Sequence, residues 1–271
     1  MIMAHNRVMG AEIVQARSAK EQFDRQAAHY NTKWNAWSEE TLAWMLKAAV
    51  GKPTDSVLDV ATGTGFTALA FAPHVYSVVG LDVSPGMLAR ARQRAAEHGL
   101  VNVMFEEGAA ESLQFMDGSF DLVTCRIAPH HFLDVQQFLA ETERVLKRGG
   151  HLVLVDTTVP DDSPEAAAWQ NAVEVIRDPS HIRNYTPREW RQMAEAAGLS
   201  VTQSSSAGGG ITIPLSDWLV KAGCAPEQSA EVRRRFAESP DSARKAFQIE
   251  THKDGETVFT WQRVALLAFK Q

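Results

Sequence analysis

The sequence predicts a doubly wound α/β fold, because short apolar runs alternate with segments of helical periodicity from residue 56 onward. Each run is uninterrupted and rich in Val and Leu, as in strands of a parallel sheet that helices cover on both faces. The helical segments between the runs begin and end at capping residues. Strand–helix–strand units repeated in this way build a doubly wound sheet.

Residues 18–50 precede the sheet and are predicted to form two helices. Gly51 and Pro53 end this helical pattern. Apolar and aromatic side chains recur in it at helical spacing, first at Phe23, Ala27, Tyr30 and Trp34. We expect residues 1–52 to form an N-terminal helical lid.

The first five predicted strands span residues 56–61, 76–82, 101–108, 120–125 and 150–156. Ser84, followed by Pro85 at the first helical position, predicts the start of the helix after the second strand, and Gly99 predicts its end. An apolar stripe that runs from Val135 to Leu146 predicts a helix before the fifth strand, ending at Gly149.

The alternation loosens after Asp156. Residues 160–198 are predicted to form two helices, of which the second begins with a capping box from Thr186 to Glu189. A strand is predicted at 199–205, helices at 214–250 and a final strand at 257–269. The pattern divides the chain into four parts: a lid at 1–52, a core at 53–158, a helical cap insertion at 159–198, and the C-terminal part of the core sheet at 199–271, with a helical insertion at about 214–250.

Composition narrows the class of protein and its partners. Apolar residues make up 45% and charged residues 22% of 271 residues, which excludes wholesale disorder. The net charge of −6 and the absence of a basic block argue against nucleic acid as a partner. Two cysteines cannot make a disulfide framework, and no metal site is expected. No segment approaches the roughly 18 apolar residues that span a bilayer, so we expect a soluble cytoplasmic protein, monomeric or homodimeric, without a membrane partner.

A glycine-containing loop follows the first strand and carries the strongest functional signal. Gly63 and Gly65 remove side chains where the backbone turns and a ligand approaches. Asp82 ends the second strand, within reach of a ribose hydroxyl pair. The glycine spacing alone also fits a dinucleotide site. Asp59, however, would repel a pyrophosphate and favours a ligand with an ammonium or sulfonium group.

With Asp59, Gly63 and Gly65, this loop resembles the first motif of the class I S-adenosylmethionine-dependent methyltransferases, and Ala61 replaces that motif's first glycine. The resemblance covers most of residues 56–157 and is closest in character to the small-molecule methyltransferases of ubiquinone and menaquinone biosynthesis. It implies a Rossmann-like, seven-stranded, mostly parallel sheet with an α-helical cap. It also implies S-adenosyl-L-methionine as cofactor, S-adenosyl-L-homocysteine as product, and in-line transfer of a methyl group to O, N or C of a small organic acceptor.

The resemblance also implies which residues bind the cofactor. Asp59, Gly63 and Gly65 would hold the methionine part and Asp82 the ribose. The family's usual Gly-Asp-Ala adenine loop reads Gly-Ala-Ala here, so a side-chain contact to the adenine amino group is absent. Arg126 is a candidate partner for a carboxylate of substrate or cofactor, or alternatively for Asp156 or Glu143. The full predicted set is Asp59, Ala61, Gly63, Gly65, Asp82, Val83, Met87, Gly108, Ala109, Ala110 and Arg126.

Two adjacent histidines after the fourth strand, His130 and His131, are candidate general bases, because histidine titrates near neutrality. Alternatively, they cap the following helix or bind a carbonyl group; between the two, His131 is favoured as the base. The residues predicted to contact the acceptor are Tyr30, Trp34, Arg177, His181 and Tyr185.

Two other functions stay open at this stage. The glycine spacing fits a nicotinamide-dependent oxidoreductase, although the chain lacks a Tyr-x-x-x-Lys pair. A methyltransferase-fold protein that catalyses a non-methylating rearrangement is the second alternative, since the missing adenine Asp would weaken cofactor binding.

Overall fold

The computed structural model describes residues 20, 23, 35–49, 51–206 and 211–271. The helices are α1 (Asn35–Ala48), α2 (Phe66–Phe71), α3 (Pro85–Glu97), α4 (Val135–Val145), α5 (Pro164–Arg177), α6 (Pro187–Ala196), α7 (Leu215–Ala222), α8 (Pro226–Ala237) and α9 (Asp241–Ala246). The strands are β1 (Ser56–Val60), β2 (Ser77–Asp82), β3 (Val103–Glu107), β4 (Phe120–Arg126), β5 (Leu146–Thr158), β6 (Leu199–Ser206), β7 (Ile211–Pro214), β8 (Glu250–Thr251) and β9 (Thr257–Lys270).

The main sheet has the strand order β3-β2-β1-β4-β5-β9-β6. Strands β1 to β5 pair in parallel, while β9 runs antiparallel to both β5 and β6. The strand order reverses at β1: β2 and β3 lie on one side of it, and β4 and β5 lie on the other. The carboxyl edge of such a reversal point is where open α/β sheets bind ligands. The predicted doubly wound, mostly parallel sheet is therefore confirmed.

Two apolar clusters cover the sheet. One lies between the sheet and helices α4 and α6, with Phe138, Leu139 and Trp190 fully buried. The other packs helices α2 and α3 on the opposite face through Phe71, Leu88 and Ala91. Burial on both faces explains why the parallel strands have no polar alternation.

The C-terminal third forms a third cluster around the first half of β9. Strands β7 and β8 pair with residues 257–261 of β9, and its second half completes the main sheet. Trp218, Phe236, Phe247 and Trp261 meet there at ring-centroid distances between 4.9 and 6.3 Å. Helix α5 closes this cluster with Ala166 and Val173, both fully buried.

Several capping predictions are confirmed, and one helix boundary is wrong. The Ser84 hydroxyl accepts from the Met87 N–H at 3.1 Å, and Thr186 and Glu189 form the reciprocal capping box. Helix α4, however, ends at Val145 instead of Gly149. Leu146 takes extended backbone angles and pairs with Phe120 of β4, so this stretch begins β5.

The two short strands β7 and β8 lie at the ends of the predicted helical insertion, where the sequence pattern predicts no strand. Each has only two to four residues and gains its hydrogen bonds from β9. Within the described residues, no helix is long and apolar enough to cross a bilayer.

Candidate active site

A cavity of about 220 Å³ lies at the carboxyl edge of β1, β2 and β4. The loops after these strands supply most of its walls, and Phe23 contributes from the N-terminal segment. Among the predicted site residues, those that line the cavity are Ala61, Gly63, Asp82, Val83, Met87, Gly108, Ala109, Ala110, Arg126 and His131. The structure thus brings together in one cavity residues from five separate stretches of the chain.

The loop after β1 has an unusual backbone. Ala61, Gly63 and Gly65 all have positive φ angles, of 53°, 55° and 85°. A Cβ at Gly63 would meet no atom within 4 Å, so this glycine faces open space. A Cβ at Gly65 would approach Ala91 to 3.1 Å, so this glycine allows the loop to pack on α3. Ala61 keeps the same left-handed conformation with a Cβ, which costs roughly 1–2 kcal/mol.

Asp82 ties this loop to the end of β2. Its Oδ2 accepts from the Gly63 N–H at 2.8 Å, and its Oδ1 accepts from the Ser84 N–H at 2.9 Å. The carboxylate therefore fixes both the glycine loop and the start of α3, while its side chain also lines the cavity. A carboxylate has about four acceptor positions, a number that suits a ligand hydroxyl pair as well as backbone N–H groups.

Asp59 lies beneath the loop and is 1% exposed. Its two oxygens accept from the hydroxyls of Thr62 and Thr124 at 2.6 and 2.7 Å. Burial raises the pKa of Asp59 from 3.8 to about 6, against the lowering effect of these hydroxyls. Asp59 itself does not line the cavity, but Thr62 does. The negative charge thus lies one side chain behind the cavity wall.

The segment after β3 forms the opposite wall. The Gly108 N–H donates to the Asp82 carbonyl at 3.1 Å, and a Cβ at Gly108 would come within 2.7 Å of Leu81. Ala109 and Ala110 present small side chains to the cavity. Glu111 also lines it, and its Oε1 accepts from the Leu133 N–H at 2.9 Å.

Arg126 lies at the end of β4, where its Nε donates to the Thr67 hydroxyl at 3.0 Å. The two alternative partners suggested by the sequence are engaged elsewhere. Asp156 binds His130, and Glu143 lies 3.3 Å from Lys270. Arg126 also lines the cavity, so its positive charge lies at the cavity wall.

The two adjacent histidines form a short turn, and their side chains have different partners. His130 Nδ1 lies 2.6 Å from Asp156, which also accepts from the His130 backbone N–H at 2.9 Å. Burial favours neutral His130, but the Asp156 carboxylate outweighs burial and raises its pKa. His131 lines the cavity, and burial together with the charge of His130 lowers its pKa to about 3. His131 is therefore a neutral imidazole at neutral pH.

Residues 178–183 pack against this turn. The backbone N–H groups of Ile182 and Arg183 donate to the His130 carbonyl at 2.8 and 3.2 Å. His131 Nδ1 lies 3.0 Å from Ser180 Oγ, and Ser180 Oγ lies 2.6 Å from Asp178 Oδ1. Ser180 is fully buried, so this chain of polar groups is shielded from water.

The predicted acceptor-binding residues lie in different places. Arg177 stacks over Trp218 at 4.3 Å and donates to its backbone carbonyl. His181 is 3% exposed, and its Nε2 lies 3.2 Å from Asn171 Oδ1. Tyr185 lines a neighbouring polar cavity that shares Leu133 with the first one. Tyr30 and Trp34 lie outside the described residues.

Four residues that shape the site are not in the predicted set of site residues: Thr62, Asp156, Asp178 and Ser180. Thr62 stands inside the glycine motif, and Asp178 and Ser180 stand inside the polar stretch that also holds Arg177. Asp156 and Ser180 contact the histidine turn from positions 26 and 49 residues away in sequence, so local sequence patterns do not reveal these contacts. Among the residues that the structure describes, no group of three or more His, Cys, Asp or Glu side chains could hold a metal ion.

Comparisons with known proteins agree with this geometry. The family model described as "Methyltransferase domain" matches residues 58–154. The uncharacterized methyltransferase YcgJ of Bacillus subtilis is 35% identical over 236 residues, which are 87% of this chain and 92% of YcgJ. Its crystal structure has a TM-score of 0.80 and covers 85% of this chain and 98% of that one.

Two further proteins match part of the chain or its fold. Demethylmenaquinone methyltransferase of Deinococcus radiodurans is 49% identical over 107 residues, which are 38% of this chain and 44% of that protein. Geranyl diphosphate methyltransferase, solved in complex with SAM, has a TM-score of 0.61 at 16% identity, covers 85% of this chain and 84% of that one, and shares the fold. With a family match over the core and YcgJ aligned over nearly its whole length, the chain belongs to the methyltransferase family.

Proposed function

We propose that this protein transfers a methyl group from S-adenosyl-L-methionine to a small organic acceptor. The observation that carries the proposal is the cavity at the carboxyl edge of β1, β2 and β4, where the glycine loop, Asp82 and His131 meet. The similarity to YcgJ over most of both chains supports methyl transfer, and the partial similarity to demethylmenaquinone methyltransferase supports a small-molecule acceptor.

The residues of the cavity fit such a cofactor. Gly63 leaves open space in which a bound group can approach the backbone, as a Cβ there would contact nothing. Asp82 has acceptor capacity for ribose hydroxyls, and the buried charge of Asp59 behind Thr62 favours a cationic group. Met87, Val83 and Ala109 supply the apolar surface that an adenine ring requires. Asp59 also disfavours the pyrophosphate of a nicotinamide cofactor, because it would bring two like charges together.

When bound, S-adenosylmethionine supplies an electrophilic methyl group on a sulfonium. The chain contributes alignment, because the loop, Asp82 and the turn with His131 are each fixed by hydrogen bonds to the ends of strands. Alignment of reacting groups can supply roughly 7–11 kcal/mol of the barrier. His131 is a neutral imidazole at the cavity wall, so it is placed to accept a proton from an acceptor that must lose one.

The proposal can be tested with S-adenosylmethionine that carries a trideuterated methyl group. The protein is incubated with this compound and a panel of phenols, quinols, hydroxy acids and amines, and products are identified by mass spectrometry. The expected result is S-adenosylhomocysteine together with one trideuteromethylated acceptor class. The variant Asp82→Ala, which releases the glycine loop, should abolish both products, whereas Asp162→Ala, at an exposed position, should not. Binding of the cofactor without transfer to any acceptor would favour a non-methylating reaction.

A further inference from the structure

The tautomer of His131 follows from the hydrogen bonds around it. At neutral pH the Asp178 carboxylate has no proton and can only accept hydrogen bonds. Ser180 Oγ lies 2.6 Å from Asp178 Oδ1, so the single hydroxyl proton of Ser180 is donated to Asp178. The lone pairs of Ser180 Oγ remain to accept a hydrogen bond. His131 Nδ1, 3.0 Å away, must therefore donate, and the ring proton of neutral His131 lies on Nδ1.

The second ring nitrogen, Nε2, then carries a lone pair. Among the described residues, the hydrogen bonds of this ring are with Ser180, whose hydroxyl faces Nδ1, and the ring of His131 lines the cavity. Phe23 packs edge-on against this ring, with centroids 5.0 Å apart, and offers no polar group to Nε2. The atom left available to a ligand is thus a hydrogen-bond acceptor and not a donor.

The backbone fixes the relative positions of these groups. The Ser180 N–H donates to the same Asp178 oxygen at 2.9 Å, which holds the serine hydroxyl beside the carboxylate. On the other side, the bonds from Ile182 and Arg183 to the His130 carbonyl hold this segment against the histidine turn. His130 is held in turn by Asp156. The contact between Ser180 and His131 is therefore set by two strand ends and a docked loop, and not by flexible side chains alone.

We infer that Asp178 and Ser180 are positioning residues that hold His131 as the Nδ1–H tautomer, so that its Nε2 selects an acceptor molecule with a proton to donate, such as a phenol, an enol or a hydroxyl compound. The selection of the acceptor rests on the proposed function, whereas the tautomer does not. A neutral imidazole held in this way favours protic acceptors over ethers and carboxylates, because only a proton donor can satisfy Nε2.

The tautomer can be measured directly by NMR of protein labelled with ¹⁵N-histidine, with the His131 signals assigned by their loss in His131→Gln. At pH 7 the expected spectrum shows a protonated Nδ1 and an unprotonated Nε2. In Asp178→Ala, Ser180 loses the acceptor of its hydroxyl, which is then free to donate to Nδ1. The Nε2–H population should then rise at least tenfold. A protonated Nε2 in the wild-type protein, or an unchanged tautomer in Asp178→Ala, would overturn the inference.

Ser180→Ala is a second test, because it removes the hydroxyl that joins Asp178 to His131. Ser239→Ala is its control. Ser239 is also a buried serine, and its hydroxyl donates to the Phe236 carbonyl at 2.7 Å, away from the cavity. Ser180→Ala should mix the two tautomers, while Ser239→Ala should leave the His131 spectrum as in the wild type. An equal effect of both variants would mean a general loss of structure and would contradict a positioning role.

The acceptor class is tested on protein saturated with S-adenosylhomocysteine, by titration with 2-naphthol and with its methyl ether, 2-methoxynaphthalene. The Nε2 resonance should shift with 2-naphthol only. A shift with both compounds, or with neither, would refute the selection of a protic acceptor. Absence of S-adenosylhomocysteine binding would refute the proposed function instead, and the tautomer measured on the free protein would still stand.

Discussion

Replacing Asp59 by Asn should make the free protein more stable at neutral pH. Burial raises the pKa of this carboxyl from 3.8 to about 6, so the folded state resists its ionisation. Each pKa unit corresponds to about 1.4 kcal/mol, and keeping Asp59 charged in the fold therefore costs about 3 kcal/mol at neutral pH. Asparagine has nearly the same shape and no charge, and the hydroxyls of Thr62 and Thr124 can rotate to suit its amide.

The pH dependence has a definite sign. A carboxyl whose pKa is raised in the folded state does not lower the free energy of unfolding well below pH 3.8. The loss in free energy of unfolding grows as the pH rises from 3.8 to about 6, and it is constant above that pH. Linkage places the destabilisation at pH 5 at roughly half of the value of about 3 kcal/mol that it reaches at pH 8. The difference in free energy of unfolding between Asp59→Asn and the wild type should widen accordingly between pH 5 and pH 8, by about 1 kcal/mol.

Urea unfolding of both proteins at a series of pH values from 5 to 8 measures this difference. Asp121→Asn is a control with the opposite expectation. Burial raises the pKa of Asp121, but a hydrogen bond from Lys147 and the Ser56 N–H outweigh burial and lower it. Asp121→Asn should therefore destabilise the protein at neutral pH. A stability difference for Asp59→Asn that is constant from pH 5 to 8, or a variant less stable at every pH, would refute the reasoning.

Three further predictions concern the cavity and its supports. Asp82→Ala should weaken S-adenosylhomocysteine binding at least tenfold in calorimetric titration, because it removes the acceptor that fixes the Gly63 N–H; unchanged affinity would contradict the ribose assignment. Ala61→Gly should raise the free energy of unfolding by about 0.5–1 kcal/mol. Glycine removes the cost of the left-handed conformation, and the greater conformational entropy of the unfolded glycine variant offsets part of this gain. A loss of stability would show that Ala61 is unstrained. The pKa of His130 is raised, so its ion pair stabilises the fold below pH 6.5 and the stabilisation is lost as pH rises above that value. The stability difference between the wild type and His130→Asn should therefore be larger at pH 6 than at pH 9, and a difference that grows with pH would contradict it.

The sequence was sufficient for the parallel sheet and the glycine loop because both depend on local signals. The apolar runs, the cap at Ser84 and the glycines after β1 each act within a few residues of the chain. The same locality explains the wrong end of helix α4. Leu146 continues the apolar stripe of the helix, yet its pairing with Phe120 of β4 draws it into the sheet.

The contacts of His131 could not be predicted in the same way. Ser180 lies 49 residues further along the chain, and it reaches the histidine only because the loop docks on the His130 carbonyl. The sequence showed a polar stretch in the right region but not which of its side chains turns inward. Asp178 and Ser180 face His131, whereas Arg177 packs on Trp218.

The most direct test of the proposed function is calorimetric titration of the purified protein with S-adenosylmethionine, S-adenosylhomocysteine and NAD in parallel. We predict micromolar binding of both adenosyl ligands and no binding of NAD, since the charge of Asp59 lies directly behind Thr62 of the cavity wall and would repel a pyrophosphate. Binding of NAD without the adenosyl ligands would contradict the account and indicate an oxidoreductase.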